Sequence, residues 1–296
     1  MTTSDYLRDY HPEVVVVDEA GQVPLAVGAG LAAIGAALLF LGDQEQLAPI
    51  FPEQVREDSL ACSVLDWLVR HRPYDRLVET HRLNAELADV IGSVFYPNAS
   101  GGSSLKPSAE ASGRLLNVNV TTTAEWVRQS LSSTRSLVWV HTGELAAFQE
   151  SLVESDIVAT LIDACLSGGV DVGNIAVLTP FRKQVNRIRA AVRQRIGETI
   201  PMIDTVESMQ GQSVEIAIIS LAASDPAYLS TIGDFYYRSN RWCVASSRAT
   251  TKTIVVGSPA VLKARPDSIG GLDGLMKLRA LLRSAAEVVY YDREQL

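Results

Sequence analysis

The stretch "EVVVVDEAGQVPLA", residues 13–26, joins a run of four valines to two adjacent acids. Valine is enriched in strands, and a strand that is apolar on both faces is typical of a parallel sheet covered by helices. Asp18 and Glu19 therefore follow the carboxyl end of a predicted strand, where open α/β sheets bind their ligands. One carboxylate there can hold a hydrated Mg²⁺ while its neighbour polarises a water. The acids can equally serve only to start the next helix, and this stretch alone leaves both interpretations open.

The rest of the chain alternates apolar strands with helical segments, which predicts an α/β fold with a mostly parallel sheet. Strands are predicted at Glu13–Val17, Ala37–Leu41, Leu137–Val140, Ile175–Leu178, Val214–Leu221 and Thr253–Gly257. Apolar stripes of helical period predict two helices, in residues 81–95 and 182–196. Crowded Gly, Ser and Pro predict a surface loop or small insertion at 97–113. We place a domain boundary near "HRPYDRLVE", residues 71–79, because the elements of the first sheet end there.

The composition is that of a globular protein, with 47% hydrophobic and 20% charged residues. Cys62, Cys165 and Cys243 are odd in number and far apart, which favours a reducing compartment over a disulfide framework or a metal cluster. The sequence shows neither a signal peptide nor a long apolar run, so we expect a cytoplasmic protein with no membrane partner. The net charge of −8 does not indicate a nucleic-acid binder, although a local basic groove is compatible with it.

Five further segments follow the first stretch in a fixed order. They are "LFLGDQEQLAPI" (39–50), "ETHRLNAELADVIGSVFY" (79–96), "IAVLTPFRKQVNRIR" (175–189), "DTVESMQGQSVEIAIISL" (204–221) and "NRWCVASSRATTKTIVVG" (240–257). Together the six resemble the motifs of superfamily 1 helicases, most of all the B branch with its nonsense-mediated-decay helicases and DNA-replication helicase-nucleases. The resemblance leaves out only residues 97–135 and the C-terminal tail.

This resemblance implies RecA-like parallel sheets of the P-loop NTPase fold. Residues 1–76 would be the C-terminal part of a first RecA-like domain, and residues 77–296 a largely complete second one. Within the second domain, residues 97–135 would form a variable loop or insertion. The resemblance also implies ATP and Mg²⁺ as cofactors, hydrolysis of ATP between the two domains, and 5′ to 3′ movement on single-stranded DNA or RNA.

The matched motifs imply a chemical role for each polar side chain that they contain. Asp18 would hold Mg²⁺ through water, and Glu19 would be the general base that activates the hydrolytic water. Arg82 would reach the phosphates from the second domain and Arg248 would be the arginine finger, because a planar guanidinium spreads charge over phosphoryl oxygens. The other residues that the motifs place at the nucleotide are Gln22 and Gln46, as γ-phosphate sensors, with Gly42, Asp43 and Gly211.

A second group of residues is implied at the nucleic acid. Thr179 follows a predicted strand and Arg182 opens a basic helix face, so a hydroxyl, backbone amides and a guanidinium could grip a phosphate. The rest of that basic face can equally be a solvated helix surface. The remaining members of the group are Pro180, Thr205 and Ser208, with Gln210 where the family couples nucleic acid to nucleotide. For the aromatics Phe235, Tyr236, Tyr237 and Trp242 we expect packing in the core or in loops rather than stacking on bases.

The largest departure from the family pattern is that the sequence lacks the phosphate-binding loop G-x-x-x-x-G-K-[ST]. None of the five lysines (Lys106, Lys183, Lys252, Lys263 and Lys277) follows a glycine, and only 17 residues precede Asp18. We therefore expect the C-terminal portion of a motor that is inactive alone and needs an upstream helicase segment carrying this loop. Missing strands should leave apolar surface and an open sheet edge in residues 1–76. The alternative is a degenerate, non-enzymatic module that binds nucleic acid or protein.

Two smaller departures concern single positions in the matched motifs. His81 stands where the family commonly has Tyr, which is compatible with a packing or hydrogen-bonding role. Ser213 stands where many relatives place a Glu that helps to hold the nucleotide. The sequence therefore does not predict that Ser213 contacts the nucleotide in the way that the usual Glu does.

Overall fold

The computed structural model describes residues 12–32, 34, 36–51, 60–122, 124–209 and 211–290. Tertiary contacts divide the chain into two compact units, Met1–Leu77 and Val78–Leu296. We call them unit 1 and unit 2.

Unit 1 contains a short parallel sheet with helical segments after each strand. Its elements are β1 (Val14–Val17), a 3₁₀ turn (Ala20–Gln22), α1 (Leu25–Ala32), β2 (Ala37–Phe40) and α2 (Val64–His71). The two strands pair in parallel from Val14 opposite Ala37 to Val17 opposite Phe40. Helix α2 begins at a capping side chain, because the Ser63 hydroxyl oxygen accepts the backbone N–H of Asp66 at 3.0 Å.

The sheet of unit 1 exposes apolar side chains, as the sequence led us to expect. Val14 and Val16 on β1 are each more than half exposed, and Leu39 on β2 is about half exposed. Among the described residues, β1 and β2 pair only with each other, so each leaves one edge open. Open edges and apolar faces favour self-association, so we expect this unit to limit the solubility of the isolated chain.

Unit 2 is built on a six-stranded sheet whose strands are all parallel, in the order β10-β5-β9-β8-β6-β7. Its strands are β5 (Leu137–His141), β6 (Ile175–Thr179), β7 (Met202–Thr205), β8 (Val214–Ser220), β9 (Ala249–Gly257) and β10 (Ala286–Val289), beside a separate parallel pair of β3 (Glu79–Thr80) and β4 (Lys106–Pro107). Its helices are α3 (Ala85–Phe95), α4 (Ala109–Ser112), α5 (Glu125–Leu131), α6 (Leu152–Ser167), α7 (Arg182–Ile196), α8 (Pro226–Thr231), α9 (Gly233–Tyr236), α10 (Ser239–Ser246) and α11 (Ile269–Ser284).

The predicted α/β fold with parallel strands is confirmed, and each predicted strand and helix is present. The central strands are apolar because helices cover both faces of the sheet: β6 is buried along its whole length. Helices α6 and α7 pack together on one face, where Ile157, Val185 and Ile188 belong to a single buried cluster with the sheet. Among the described residues no helix combines the length and the apolar character needed to cross a membrane.

The stretch expected to be a surface loop contains more structure than its composition indicates. Lys106–Pro107 is strand β4, and α4 and α5 follow within the segment 97–135. Val127 and Leu131, four residues apart on α5, are buried in the core of unit 2. Two apolar residues at this spacing are enough to pack one helical turn against the core. They are too few to form a recognisable helical pattern in a segment rich in Gly, Ser and Thr.

Candidate functional site

Two turns lie at the carboxyl edge of the unit 1 sheet. The first follows β1 and carries Asp18, which is exposed, and Glu19, which is partly buried. The second follows β2 and carries Gly42 and Asp43. Parallel strands place both turns at one edge, so the structure brings these four predicted residues to the same end of the sheet.

Backbone packing holds the two turns against each other. The N–H of Ala20 donates to the carbonyl oxygen of Leu41 at 2.8 Å. A Cβ atom added to Gly21 would lie 2.7 Å from the carbonyl oxygen of Asp43, and one added to Gly42 would lie 2.9 Å from the backbone nitrogen of Ala20. Both positions therefore require glycine, because any side chain would push the turns apart.

Glu19 adopts a left-handed backbone conformation, with φ 52° and ψ 39°. Its N–H donates to Asp18 Oδ1 at 2.8 Å, and Gln22 Nε2 donates to Glu19 Oε2 at 3.4 Å. A residue with a side chain is uncommon in this region, and such outliers concentrate at functional sites. The turn after β1 thus fixes the orientation of Glu19 in a strained backbone conformation.

The turn after β2 repeats the pairing of an acid with an amide. Gln46 Nε2 donates to Asp43 Oδ2 at 3.1 Å, and the N–H of Glu45 donates to Asp43 Oδ1 at 2.9 Å. Each glutamine predicted to sense the γ-phosphate therefore contacts a carboxylate of its own turn. Acid and amide pairs of this kind can order a water molecule between them and a bound anion.

The donor chemistry of this edge fits a hydrated Mg²⁺. Magnesium is commonly bound through one or two carboxylates while it keeps several waters, and Asp18 offers an exposed carboxylate for this purpose. The part of the chain that the structure describes contains no group of three or more His, Cys, Asp or Glu side chains that could enclose a metal ion. An ion held by Asp18 would therefore keep much of its water.

The two predicted phosphate-binding arginines belong to unit 2. Arg248 directly precedes β9 and is only 1% exposed; its Nε donates to the carbonyl oxygen of Val244 at 3.0 Å and its Nη1 to that of Gln212 at 3.2 Å. Arg82 follows β3 and is partly buried, and its carbonyl oxygen accepts from Arg114 Nη1 at 3.4 Å. The predicted arginine finger therefore binds backbone carbonyls in this conformation instead of facing solvent.

Asn84 places the Arg82 loop at the amino edge of the large sheet. Its Nδ2 donates to Ser136 Oγ at 2.8 Å and to the carbonyl oxygen of Thr251 at 3.1 Å, next to the first residues of β5 and β9. Its Oδ1 accepts the N–H of Leu87 and so caps α3. The Arg82 loop and Arg248 therefore lie at the same edge. We missed Asn84, although an Asn just before a helical stripe is a recognisable capping signal.

The residues predicted to contact nucleic acid lie mainly at the opposite, carboxyl edge. Thr179 ends β6 and is the register partner of Thr205, which ends β7. Pro180 is buried, and Arg182, exposed at the first residue of α7, forms an ion pair with Asp204 at 2.7 Å. Thr179 itself is fully buried, and its hydroxyl has no hydrogen-bond partner within the described chain.

A 3₁₀ turn, Val206–Met209, carries Ser208 from the end of β7 toward the start of β8. Glu207 Oε1 in this turn accepts from Arg241 Nε at 2.9 Å and from Arg241 Nη2 at 2.6 Å. Arg241 is almost fully buried, with its guanidinium carbon 4.0 Å above the ring of Phe235. We missed this arginine because its carboxylate partner lies 34 residues earlier in the chain.

The last two residues of the predicted coupling motif lie beyond this turn. Gln210 is outside the described residues. Gly211 is exposed with φ 79°, a left-handed value that favours glycine, and it lies near the start of β8. It therefore shares the amino edge with Arg248, whose carbonyl oxygen accepts the N–H of Val214 at 3.0 Å.

The aromatic cluster after β8 packs in the core, as expected. Tyr236, Tyr237 and Trp242 are buried, and each satisfies its polar atom on a backbone carbonyl oxygen. Phe235 is more exposed than the other three, although the guanidinium of Arg241 covers one face of its ring. Three of the four rings are therefore enclosed by protein and unable to stack on bases.

The buried side chain of Glu154 binds the end of β8 at the carboxyl edge of the sheet. Glu154, in the first turn of α6, accepts from Ser220 Oγ at 2.6 Å and from the N–H of Ala222 at 2.8 Å. Gln184 of α7 donates to the same Ser220 hydroxyl oxygen at 3.0 Å and accepts the N–H of Ser151 at 2.8 Å. This network joins the end of β8 to the first turns of α6 and α7, and α7 carries Arg182.

The Glu154 network predicts a pH-dependent contribution to stability. Burial raises the pKa of Glu154 from 4.5 to about 8, with a smaller contribution from the charge of Glu144. The folded state therefore keeps a proton that the unfolded state releases above about pH 4.5, so this stabilisation is lost as pH rises toward about 8. We expect the free energy of unfolding of the wild type to fall over this range relative to Glu154→Gln, in urea denaturation at several pH values.

The matched control for this experiment is Glu110→Gln, which changes an exposed acid of α4. Its pH profile should run parallel to that of the wild type, because an exposed carboxyl gains little from folding. A Glu154→Gln profile that also ran parallel to the wild type would show that Glu154 releases its proton at the same pH in both states.

The chain matches one family of known domains and resembles several known proteins. A family model described as an AAA domain matches residues 60–260. The chain is 27% identical over 266 residues to the DNA replication ATP-dependent helicase/nuclease JHS1 of Arabidopsis thaliana, with 86% of this chain and 19% of that protein covered. It is 24% identical over 267 residues to the DNA replication ATP-dependent helicase/nuclease dna2 of Schizosaccharomyces pombe, with 84% and 19% covered. The chain thus spans about a fifth of the length of these relatives.

Among solved structures, the complex of Arterivirus nonstructural protein 10 (helicase) with DNA resembles this chain with a TM-score of 0.41 and 16% identity. That alignment covers 84% of this chain and 40% of the viral one. The family match extends over more than half of the chain and includes four of the six sequence motifs in full. The chain therefore belongs to the AAA domain family.

Proposed function

We propose that the chain is part of an ATP-dependent helicase or translocase that moves 5′ to 3′ on single-stranded DNA or RNA. The observation that carries this proposal is the edge of the unit 1 sheet, where the Asp18–Glu19 turn lies against the Gly42–Asp43 turn. Two glycines keep these turns in contact, and a strained backbone orients Glu19. This arrangement is costly to maintain in a protein that does not use its acids.

Each side chain of this edge has a chemical role in the proposed reaction. Bound ATP with Mg²⁺ supplies the γ-phosphoryl group that is transferred to water. Asp18 would hold the hydrated ion, and Glu19 would accept a proton on its carboxylate from the attacking water. Gln22 and Gln46 would orient that water and the phosphate through their amide groups, which already contact the two carboxylates.

Unit 2 would contribute cations for phosphate and a surface for the single strand. Arg82 and Arg248 lie at the amino edge of its sheet, where they would stabilise charge on the transferred phosphoryl group. Arg248 would have to exchange at least one backbone carbonyl for a phosphate oxygen. The carboxyl edge, with Arg182, Thr205 and Ser208, would contact the sugar-phosphate backbone.

ATP hydrolysis tests this proposal against a non-enzymatic module. The chain would be assayed alone and joined to a superfamily 1 segment that carries the phosphate-binding loop, with and without single-stranded DNA. Turnover in the joined protein that is stimulated by DNA supports the motor, and none is expected from the chain alone. A well-folded joined protein without turnover would favour the binding module, and turnover by the chain alone would contradict the expected need for the loop.

A second prediction concerns the ion pair at the carboxyl edge. Asp204 neutralises Arg182 at 2.7 Å and approaches Arg189 at 3.5 Å, so it competes with phosphate for both guanidinium groups. Asp204→Asn keeps an oxygen for the N–H of Thr205 but removes the charge, and we expect it to tighten binding of single-stranded DNA several-fold. Arg182→Ala should weaken binding and reduce the salt dependence by about one counterion.

Fluorescence anisotropy titrations at several salt concentrations measure both effects. The matched control is Arg193→Ala, which removes the same charge near the other end of α7, where Arg193 pairs with Glu198. That variant should bind as the wild type does. Equal losses from Arg182→Ala and Arg193→Ala would indicate a diffuse electrostatic effect and contradict a specific contact at the carboxyl edge.

A further inference from the structure

A cavity of about 510 Å³ opens beside the carboxyl edge of unit 2. It lies between the segment 144–152, which joins β5 to α6, and the first turns of α7. Phe148 lines one side of it, and Lys183 and Arg187 line the other. Arg182 and Lys183 both belong to the first turn of α7, so the cavity lies at the same edge of the sheet as the surface proposed above for the single strand.

The ring of Phe148 is exposed yet held in place. It is 53% exposed, and its edge packs on Tyr228 with 5.3 Å between ring centroids. The preceding residue, Ala147, exchanges two hydrogen bonds with Ser224, at 2.8 and 2.9 Å, and the following one, Gln149, donates to the Tyr228 hydroxyl oxygen at 2.6 Å. A ring fixed in this way loses little conformational entropy when a ligand stacks on it.

Four charged side chains line the cavity, namely Glu144, Glu150, Lys183 and Arg187, so its lining carries no net charge. Glu144 accepts a hydrogen bond from the Ser151 hydroxyl group. Arg187 pairs with Glu150 at 2.7 Å, so these two charges largely neutralise each other. Lys183 makes no hydrogen bond or ion pair with any residue that the structure describes. An aromatic face beside a lysine that forms no ion pair within the described chain is a combination that can bind a stacked base and its phosphate in single-stranded nucleic acids.

We propose that Phe148 and Lys183 form a subsite for one nucleotide of the single strand, with the base on the ring and a phosphate on the ammonium group. This inference rests on the proposed function, because it extends the same track beyond Arg182. Ring stacking is tolerant of sequence, so the subsite would accept any base. It would fix the position of the strand next to α7 without reading its sequence.

Anisotropy of a fluorescein-labelled oligo(dT) of roughly 12 nucleotides, titrated with the full chain, tests the subsite. We expect Phe148→Leu, which still packs on Tyr228, to weaken binding roughly tenfold, and Phe148→Tyr to bind like the wild type. Lys183→Ala should weaken binding and lower the salt dependence by about one counterion. Tyr74→Leu, which alters an equally exposed ring in unit 1, is the control and should have no effect.

Ultraviolet cross-linking with an iodouracil-substituted oligonucleotide gives a second readout, and the adduct should map to Phe148. Unchanged affinity in Phe148→Leu while Arg182→Ala still weakens binding would overturn the subsite and leave the proposed function standing, with the ring then available for a protein partner. Absence of binding by the wild-type chain would overturn both the subsite and the nucleic-acid part of the proposed function.

Discussion

Replacing Glu19 with glutamine is expected to lower nucleic-acid-stimulated ATP hydrolysis roughly 10²- to 10⁴-fold in a motor completed with the phosphate-binding loop. Glutamine keeps the size of the side chain and can still contact Gln22, but it cannot accept a proton from water. Binding of ATP should change little, because the amide preserves the geometry of the turn. Steady-state phosphate release and nucleotide binding, measured on the same protein, separate the two effects.

Glu13→Gln is the matched control for Glu19→Gln, because Glu13 is an exposed acid just before the same strand. It should leave the rate unchanged. A Glu19→Gln protein that hydrolysed ATP at the wild-type rate would remove Glu19 from the role of general base. Asp43, at the same sheet edge, would then be the next acid to substitute.

Gly274→Ala is expected to destabilise unit 2 by about 3 kcal/mol. Gly274 lies in the middle of α11, where a Cβ atom would come 1.4 Å from the carbonyl oxygen of Tyr237 and 2.6 Å from its carbonyl carbon. Both contacts are with backbone, so no side chain can rotate away to relieve them. Urea denaturation followed by circular dichroism measures the loss.

Gly270→Ala provides a control within the same helix. A Cβ atom at Gly270 meets nothing within 4 Å, so alanine there should be neutral or should stabilise the helix by up to about 1 kcal/mol. Two identical substitutions four residues apart should thus have opposite effects. If Gly274→Ala proved as stable as Gly270→Ala, α11 would not pack against Tyr237 as closely as described.

The fold was predictable to the extent that its strands are continuous runs of Val, Ile and Leu. Such runs mark β6 and β8 because both faces of these strands are buried. Strands β7 and β10 were missed. β7 reads "MIDT" and includes a charged residue, and β10 begins within two residues of the end of α11, so neither has the boundary signals of a strand.

The candidate site was predictable where its polar side chains directly follow the end of a predicted strand. Asp18 and Asp43 follow β1 and β2 directly, so their shared edge follows from parallel pairing alone. Contacts between distant parts of the chain were beyond prediction: Asn84 meets Thr251 across 167 positions, and Glu154 meets Ser220 across 66. The burial of Arg248 was equally hidden, because it depends on carbonyl oxygens of two separate segments.

The two edges of the unit 2 sheet set a mechanical requirement for the proposed motor. Seven residues of β8, from Val214 to Ser220, separate them by roughly 20 Å, and β8 pairs with β6 on one side and with β9 on the other. Strand β7 ends at the carboxyl edge with Thr205 and β8 begins at the amino edge with Val214, so the chain returns from one edge to the other between these two strands. In the proposed motor, any displacement passed between the two edges outside the sheet would follow this connection, and the ion pair of Glu207 with Arg241 ties the connection to α10.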